Sequence, residues 1–452
     1  MSAWTPASLI DRIDATAREE FARWKVPGAV VAVMRGDEVA VRPYGVSSLT
    51  TRYPVTADTL MQVGSISKVF TATLVMSLVD AGLLSLDRPV VEWLPDLPLA
   101  DSAARRTITL RHLLSHTAGF YGDRFDDHGD GDDALARAVA AFGDLPQLTA
   151  PGDLWTYCNA GFDLAGRVVE VVTGQTFEQA MRERVLTPLG MTRTTYFARE
   201  AIRHDVSVGH EPGPDGEPAV AHPWPIPRRS SPAGGVTAPM AELLRFARMH
   251  LNGGILDGTR VLSDASARAM ATRMALADPG RVWGLGWCLR TYGGAQALEH
   301  NGATNGFTAR LVLVPAHDMA IAVLTNGSFG SAAHPVVTKL ALAEGPGLVD
   351  APQSPLADPA AELARAAGRY ARHNAGIDLE PAGDRLRMVR WSINPFSNER
   401  REYPVVHAIA LGDGLFRIEG GDVDGSLLDV IAHADGSVRF VRFSGRLNMP
   451  VQ

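Results

Sequence analysis

Lysine is nearly missing from this chain. Of its 43 lysines and arginines, only Lys25, Lys68 and Lys339 are lysine. Other shortages exclude whole classes of function. The two cysteines, Cys158 and Cys288, cannot build a disulfide framework, and no Cys-x-x-Cys or Cys/His cluster suggests zinc. No run of about 18 apolar residues occurs, so no segment reads as membrane-spanning. Excess positive charge is also lacking: a net charge of −7 leaves no basic footprint for nucleic acid. The N-terminal stretch is amphipathic and charged, without the apolar core of a signal peptide, so the expected location is the cytoplasm. No metal or cofactor is expected. What remains is ordinary for a globular protein, with 46% hydrophobic and 21% charged residues. At 452 residues the chain exceeds one typical domain.

In a chain that writes arginine wherever charge alone is wanted, a lysine asks for a reason. Lys68 stands three residues after Ser65 in Val63-Gly64-Ser65-Ile66-Ser67-Lys68-Val69-Phe70. Arginine stays protonated at any workable pH, whereas a buried lysine can lose its proton and act as a base. Ser-x-x-Lys at a helix start is one way to make a serine nucleophilic. The flanking sequence supports a helix, with Phe70, Leu74, Val75 and Leu78 at helical spacing and Gly82 as a stop. Ser65 and Lys68 then share a face one turn apart. The first turn also lies at the positive end of the helix dipole. Taken alone, the motif is a common accident: either serine could be a plain cap and Lys68 a surface cation.

Residues 6–24 read as a helix. GAVVAVMRGD and EVAVRPYG follow as two strands of a hairpin turning at Gly36-Asp37. A mostly helical stretch runs to about residue 275. Strand signals return in RVWGLGWCLR, QALEHNG and ARLVLVPAHDMAIAVLTNG, and a helix at about 332–343 closes the unit. Strands at both ends with helices between them predict an α/β (α+β) domain over 1–345. Its antiparallel sheet is flanked by helices, and an all-helical insertion packs against it. Residues 346–359 are proline-rich and read as a linker. Residues 360–452 begin with a short helix and then become strand-rich, with Gly-Asp and Asp-Gly turns. They predict a small antiparallel β domain, possibly barrel-like. That domain either covers a site or mediates homo-oligomerisation.

Two further polar clusters stand out. Pro151-Gly152-Asp153-Leu154-Trp155-Thr156-Tyr157-Cys158-Asn159 precedes a helical run, so Asn159 could be an N-cap and Tyr157 a packed aromatic. A tyrosine beside a lysine can instead relay a proton, and an asparagine amide can hold a substrate carbonyl. Glu299-His300-Asn301-Gly302-Ala303 lies between two strands, where glycine permits close backbone approach. It could equally be a hairpin turn that happens to hold a histidine.

In this order and spacing the clusters resemble the serine β-lactamase and penicillin-binding-protein superfamily. The likeness is to its class C β-lactamase-like branch of esterases, D-amino-acid peptidases and transacylases. ITLRHLLSHTAGF (108–120), PGDLWTYCNAGF (151–162), VLTPLGMTRT (185–194), PAGGVTAPMAELLRFA (232–247) and WGLGW (283–287) carry the likeness, which spans about residues 10–345. The resemblance implies Ser65 as acylated nucleophile, Lys68 as its base and Tyr157 as base or proton relay. It also implies Asn159 as a substrate-amide ligand and His300-Asn301-Gly302 as the third motif. The oxyanion hole would come from the N–H groups of Ser65 and Ala303. The expected reaction is ester or amide cleavage on a small-molecule or peptide substrate. The alternatives are a D-amino-acid peptidase, a β-lactam-processing enzyme or a small-molecule transacylase.

The chain departs from the family where a Lys-Thr-Gly triplet is usual. His300 is expected to be only partly charged near neutral pH, which suits a neutral ester or amide, or a substrate recognised by its free amine. Arg228, Arg229 or Arg310 could restore an anion site. Residues 122–133 hold six aspartates and read as a solvated surface loop, or as an acidic rim to the site. His112 and His116, four apart on an expected helix, are assigned to packing and helix termination. Cys158 is expected to be a buried filler pointing away from Tyr157 and Asn159.

Overall fold

Alternation along one strand sets the layers of the larger unit. In strand Gly28–Arg35 every residue but the last is buried. Val30, Ala32 and Met34 enter one core, while Ala29, Val31 and Val33 enter another. Strand Met319–Thr325 repeats the pattern, with Ala320, Ala322 and Leu324 on one side and Met319, Ile321 and Val323 on the other. Such doubly buried strands need cover on both faces, because successive side chains point opposite ways. The computed structural model describes residues 4–278, 280–351, 353–393 and 400–451.

The sheet runs in the order Glu38–Gly45, Gly28–Arg35, Met319–Thr325, Phe307–Val314, Ala295–Thr304, Cys288–Tyr292, Arg281–Trp283 and Ala275–Asp278. Ala29 opposite Thr325 joins the N-terminal hairpin to the returning strands, antiparallel, so the two ends of the unit meet as expected. One face is covered by helices Pro6–Arg23 and Gly330–Glu344, through Leu9, Ile13, Val337 and Ala341. The other face carries the insertion, including helices Ser67–Asp80, Asn159–Thr173 and Met240–Leu251.

Helix Ser67–Asp80 is the centre of that layer. Eleven of its 14 residues are buried, so it is enclosed on all sides rather than amphipathic. Phe70 stacks on Phe246 with ring centroids 3.7 Å apart. The insertion also carries short strand pairs that leave no periodic trace in sequence. Met61–Gln62 pairs with Thr237–Ala238 and fixes the approach to Ser65.

The second unit holds residues 124–126, 277–280 and 351–452, apart from the undescribed ones. After helix Ala360–Ala366, eight strands from Gly368–Arg372 to Arg446–Pro450 form a closed antiparallel barrel. Tyr370 opposite Pro450 closes it. Its interior is filled by side chains such as Leu386, Met388, Phe416, Leu428 and Val441, and closure removes exposed sheet edges. Among the described residues no helix is long and apolar enough to cross a membrane.

Candidate active site

The chain enters the site through a turn that only glycine makes easily. Gly64 has φ +52°, and residues Gly64–Ile66 form one turn of 3₁₀-helix leading into helix Ser67–Asp80. Neither Ser65 nor Ser67 is the cap of that helix; the N-cap position is Ile66. Ser67 is structural: its hydroxyl donates to the Gly64 carbonyl at 2.6 Å and accepts the Val236 N–H at 3.0 Å. Lys68 is fully buried, which excludes a surface cation. Its Nζ donates to Ser65 Oγ at 3.1 Å and to the Ala233 carbonyl at 2.6 Å. The amine also lies 4.9 Å from the Tyr157 ring centroid and 5.6 Å from that of Phe162. An amine at this distance is within reach of the serine proton.

Tyr157 sits in the extended stretch before helix Asn159–Thr173. The helix starts at Asn159, as its sequence suggests, but Asn159 is not the cap. Cys158 is its N-cap, with Sγ accepting from the Gly161 N–H at 3.3 Å, and Asn159 is the first helical residue. Asn159 is thereby free of capping, and its amide donates to Asp123 Oδ1 at 2.9 Å. Burial pushes the Cys158 thiol up to about 12, so it is no nucleophile at working pH.

His116 packs, as expected, but against residues the sequence does not connect to it. Helix Leu110–Leu114 ends before it, and His116 takes a left-handed φ of +60°. Its ring stacks on Tyr157 at 4.3 Å, and its Nδ1 accepts the Cys158 N–H at 3.0 Å. His112, by contrast, belongs to the capping box at Thr109. Trp283 completes an aromatic wall, 5.1 Å from His116, 6.1 Å from Tyr157 and 5.6 Å from His300. No spacing rule joins His116 or Trp283 to Tyr157, because these contacts arise only in the folded chain.

The third cluster lies on strand Ala295–Thr304. His300 is buried, and its Nδ1 donates to the Asn301 carbonyl at 2.6 Å, which leaves Nε2 as an acceptor. Burial, and then the charge of Lys68, pushes its pKa down to about 3. His300 is therefore neutral near pH 7, which corrects the expectation of partial charge. A Cβ on Gly302 would stand 1.9 Å from the Val63 carbonyl oxygen and 3.1 Å from the Ser65 nitrogen. One on Gly64 would stand 2.5 Å from the Ala303 nitrogen. The two glycines let the strand lie directly on the Ser65 turn. Backbone N–H groups of Ser65 and Ala303, brought together in this way, can serve a developing oxyanion.

None of the three arginines restores a free positive charge. Arg229 is bound to Asp163 at 2.6 Å, both fully buried. Arg310 is bound to Glu299 at 2.8 Å and Tyr292 Oη at 2.9 Å. Arg228 pairs with Glu178 at 3.3 Å and with Asp132 at 2.8 Å, and it donates to the Asp130 carbonyl at 2.6 Å. That last pair anchors the aspartate-rich loop, whose Asp132 and Asp133 are otherwise exposed. Asp123 of this loop accepts from the Asn159 amide.

Comparison with known proteins gives the same frame. Residues 13–344 match the family described as Beta-lactamase. Penicillin-binding protein 4 of Amycolatopsis lactamdurans is 42% identical over 326 residues, 70% of this chain and 84% of that protein. Esterase EstB of Burkholderia gladioli is 32% identical over 264 residues, 53% of this chain and 62% of its own. The crystal structure of SurE with D-Leu superposes with a TM-score of 0.73 at 25% identity. That match covers 98% of this chain and 100% of SurE.

Proposed function

Because the chain belongs to the β-lactamase family, we propose that it is a serine hydrolase that cleaves an ester or amide through an acyl group on Ser65. The observation that carries this reading is the buried amine of Lys68, 3.1 Å from Ser65 Oγ. Lys68 takes the serine proton as Oγ attacks the carbonyl carbon. The oxyanion is held by the N–H groups of Ser65 and Ala303, each such donor worth about 3–4 kcal/mol. Tyr157, beside Lys68 and backed by His116, passes the proton to the leaving group. Water then attacks the acyl-enzyme with the same groups acting in reverse. Asn159 orients the substrate carbonyl or amide from the helix start.

The third motif narrows the substrate. A neutral His300 cannot pair with a carboxylate as a lysine would, and Arg228, Arg229 and Arg310 are already neutralised. Neutral esters and amides therefore suit the site. A second reading, cleavage next to a D-amino acid, has support of its own. His300 Nε2 is a buried acceptor suited to a substrate ammonium or amide N–H, and the similar crystal structure is that of SurE with D-Leu. The test compares wild type with Ser65→Ala on a short p-nitrophenyl ester, a chromogenic cephalosporin and a D-alanyl anilide. Loss of every activity in the variant is expected, with the ester the best substrate of wild type. A variant as active as wild type contradicts the acyl-enzyme, and a dominant cephalosporin rate contradicts the ester assignment.

A further inference from the structure

Lys68 takes its orientation from a distant part of the chain. Its Nζ donates to the Ala233 carbonyl at 2.6 Å, a shorter bond than the 3.1 Å to Ser65 Oγ. Ala233 belongs to the single helical turn Ser231–Gly234, and the last carbonyls of a helix have no partner within it. Three side chains of helix Ser67–Asp80 meet this segment. Ser67 Oγ accepts the Val236 N–H at 3.0 Å, and Lys68 holds the Ala233 carbonyl. Thr71 Oγ1 donates to the carbonyl just before it, that of Pro232, at 2.7 Å. Lys68 and Thr71 are both fully buried. Being three residues apart, they share one helix face and grip successive carbonyls.

The direction of the Thr71 bond is the unusual part. A threonine inside a helix commonly turns its hydroxyl back to the carbonyl four residues earlier. Thr73 does so, donating to the Val69 carbonyl at 2.8 Å, and Thr173 does the same to that of Val169 at 2.8 Å. Thr71, as buried as Thr73, donates out of its own helix instead. Pro232 is also pressed from another side, since a Cβ on Gly166 of helix Asn159–Thr173 would stand 2.3 Å from its Cγ. One residue upstream, Ser231 Oγ donates to Glu178 Oε1 at 2.8 Å. The peptide joining Pro232 to Ala233 is thus held between two helices, with Thr71 supplying the polar contact.

We propose that Thr71 is a positioning residue for acylation: by holding the Pro232 carbonyl it fixes the Ala233 carbonyl, and through that the amine of Lys68. The inference rests on the acyl-enzyme reading, in which Lys68 takes the Ser65 proton. A lysine amine rides on a flexible four-carbon stem. An acceptor fixed on one N–H stops it from swinging away and keeps the rest of the amine on Ser65 Oγ. Thr71 itself moves no proton in the reaction, because its hydroxyl is spent on Pro232. Removing that hydroxyl takes a buried donor from the carbonyl, and the segment carrying Ala233 relaxes.

Two variants test it: Thr71→Val keeps the shape and removes the hydroxyl, while Thr71→Ser keeps the hydroxyl. With enzyme in excess over p-nitrophenyl butyrate, release of p-nitrophenol reads acylation alone. Varying the enzyme concentration separates the limiting rate from the half-saturating concentration. Thr71→Val is expected to lower the limiting rate by about tenfold or more, part of the roughly 100-fold that an ångström of misplacement costs. The half-saturating concentration should stay at its wild-type value, and Thr71→Ser should recover most of the rate. A wild-type limiting rate in Thr71→Val overturns the proposal, as does a change confined to the half-saturating concentration. A lost rate that Thr71→Ser fails to recover overturns it too, because packing alone would then explain the loss. Should Thr71→Val fail to fold, Thr71→Ala, which leaves room for a water on the Pro232 carbonyl, is read against the same outcomes. Ser65→Ala is run beside them. Acylation as fast as wild type in that variant overturns the acyl-enzyme reading instead, and the role of Thr71 with it.

Discussion

At Gly302 the strand backbone presses on the carbonyl of Val63, and the missing Cβ is what lets Ser65 and Ala303 lie side by side. Gly302→Ala is therefore expected to lower kcat/KM by about 100-fold or more, the usual effect of an ångström-scale misplacement. Circular dichroism should retain the wild-type spectrum, which separates lost geometry from lost fold. His300→Lys supplies the cation the third motif lacks. It should raise kcat/KM for a carboxylate-bearing ester relative to its neutral methyl ester, and an unchanged ratio would separate His300 from substrate charge. Lys68 was legible in the sequence because lysine is so rare here, and its burial beside Ser65 matches that reading. The rule behind it is not strict. Lys25 forms an exposed ion pair with Glu217 at 2.6 Å and reaches the Gly216 carbonyl at 3.4 Å, tasks arginine could perform. His116 and Asp123 were not legible, since stacking on Tyr157 and bonding to Asn159 depend on chain segments that meet only after folding.

At the scale of elements, one buried ion pair ties two segments of the helical layer together. Asp163 lies on helix Asn159–Thr173, and Arg229 lies on the turn Arg228–Ser230 that leads to the Ala233 carbonyl. Removing one partner strands a buried charge at a cost of about 3–5 kcal/mol, whereas replacing both with apolar residues costs less. Arg229→Met should thus be less stable in urea than Asp163→Leu/Arg229→Met, and the reverse order would deny the pair this role. Helices and long strands were readable here because their periods repeat over several turns or residues. The two-residue strands Met61–Gln62 and Thr237–Ala238, which lead into the Ser65 turn, are too short to carry a period. Helix Asn159–Thr173 starts where the sequence placed it, but a cysteine, rarely a cap, takes the capping position that asparagine usually fills.

For the whole molecule, buried histidines contribute a loss of stability in acid. His250, His300 and His334 each have a pKa pushed down to about 3 by burial. An unfolded histidine binds its proton near 6.5 and the folded one does not, so the unfolded state holds more protons between those values. Stability should therefore fall as pH drops from about 6.5 toward 3, by up to about 1.4 kcal/mol per pH unit for each histidine. His250→Gln should flatten the slope measured by urea unfolding across that range. The barrel has a core of its own around Phe416 and Leu386. Calorimetry is expected to resolve its melting from that of the larger unit, with Phe416→Ala lowering one transition only.

Covalent trapping tests the central claim most directly. Wild type and Ser65→Ala are each incubated with a fluorophosphonate, and the intact masses and labelled peptides are read by mass spectrometry. One adduct per wild-type chain, located on Ser65, is expected, and none on the variant. An adduct on another residue, or equal labelling of Ser65→Ala, would contradict it.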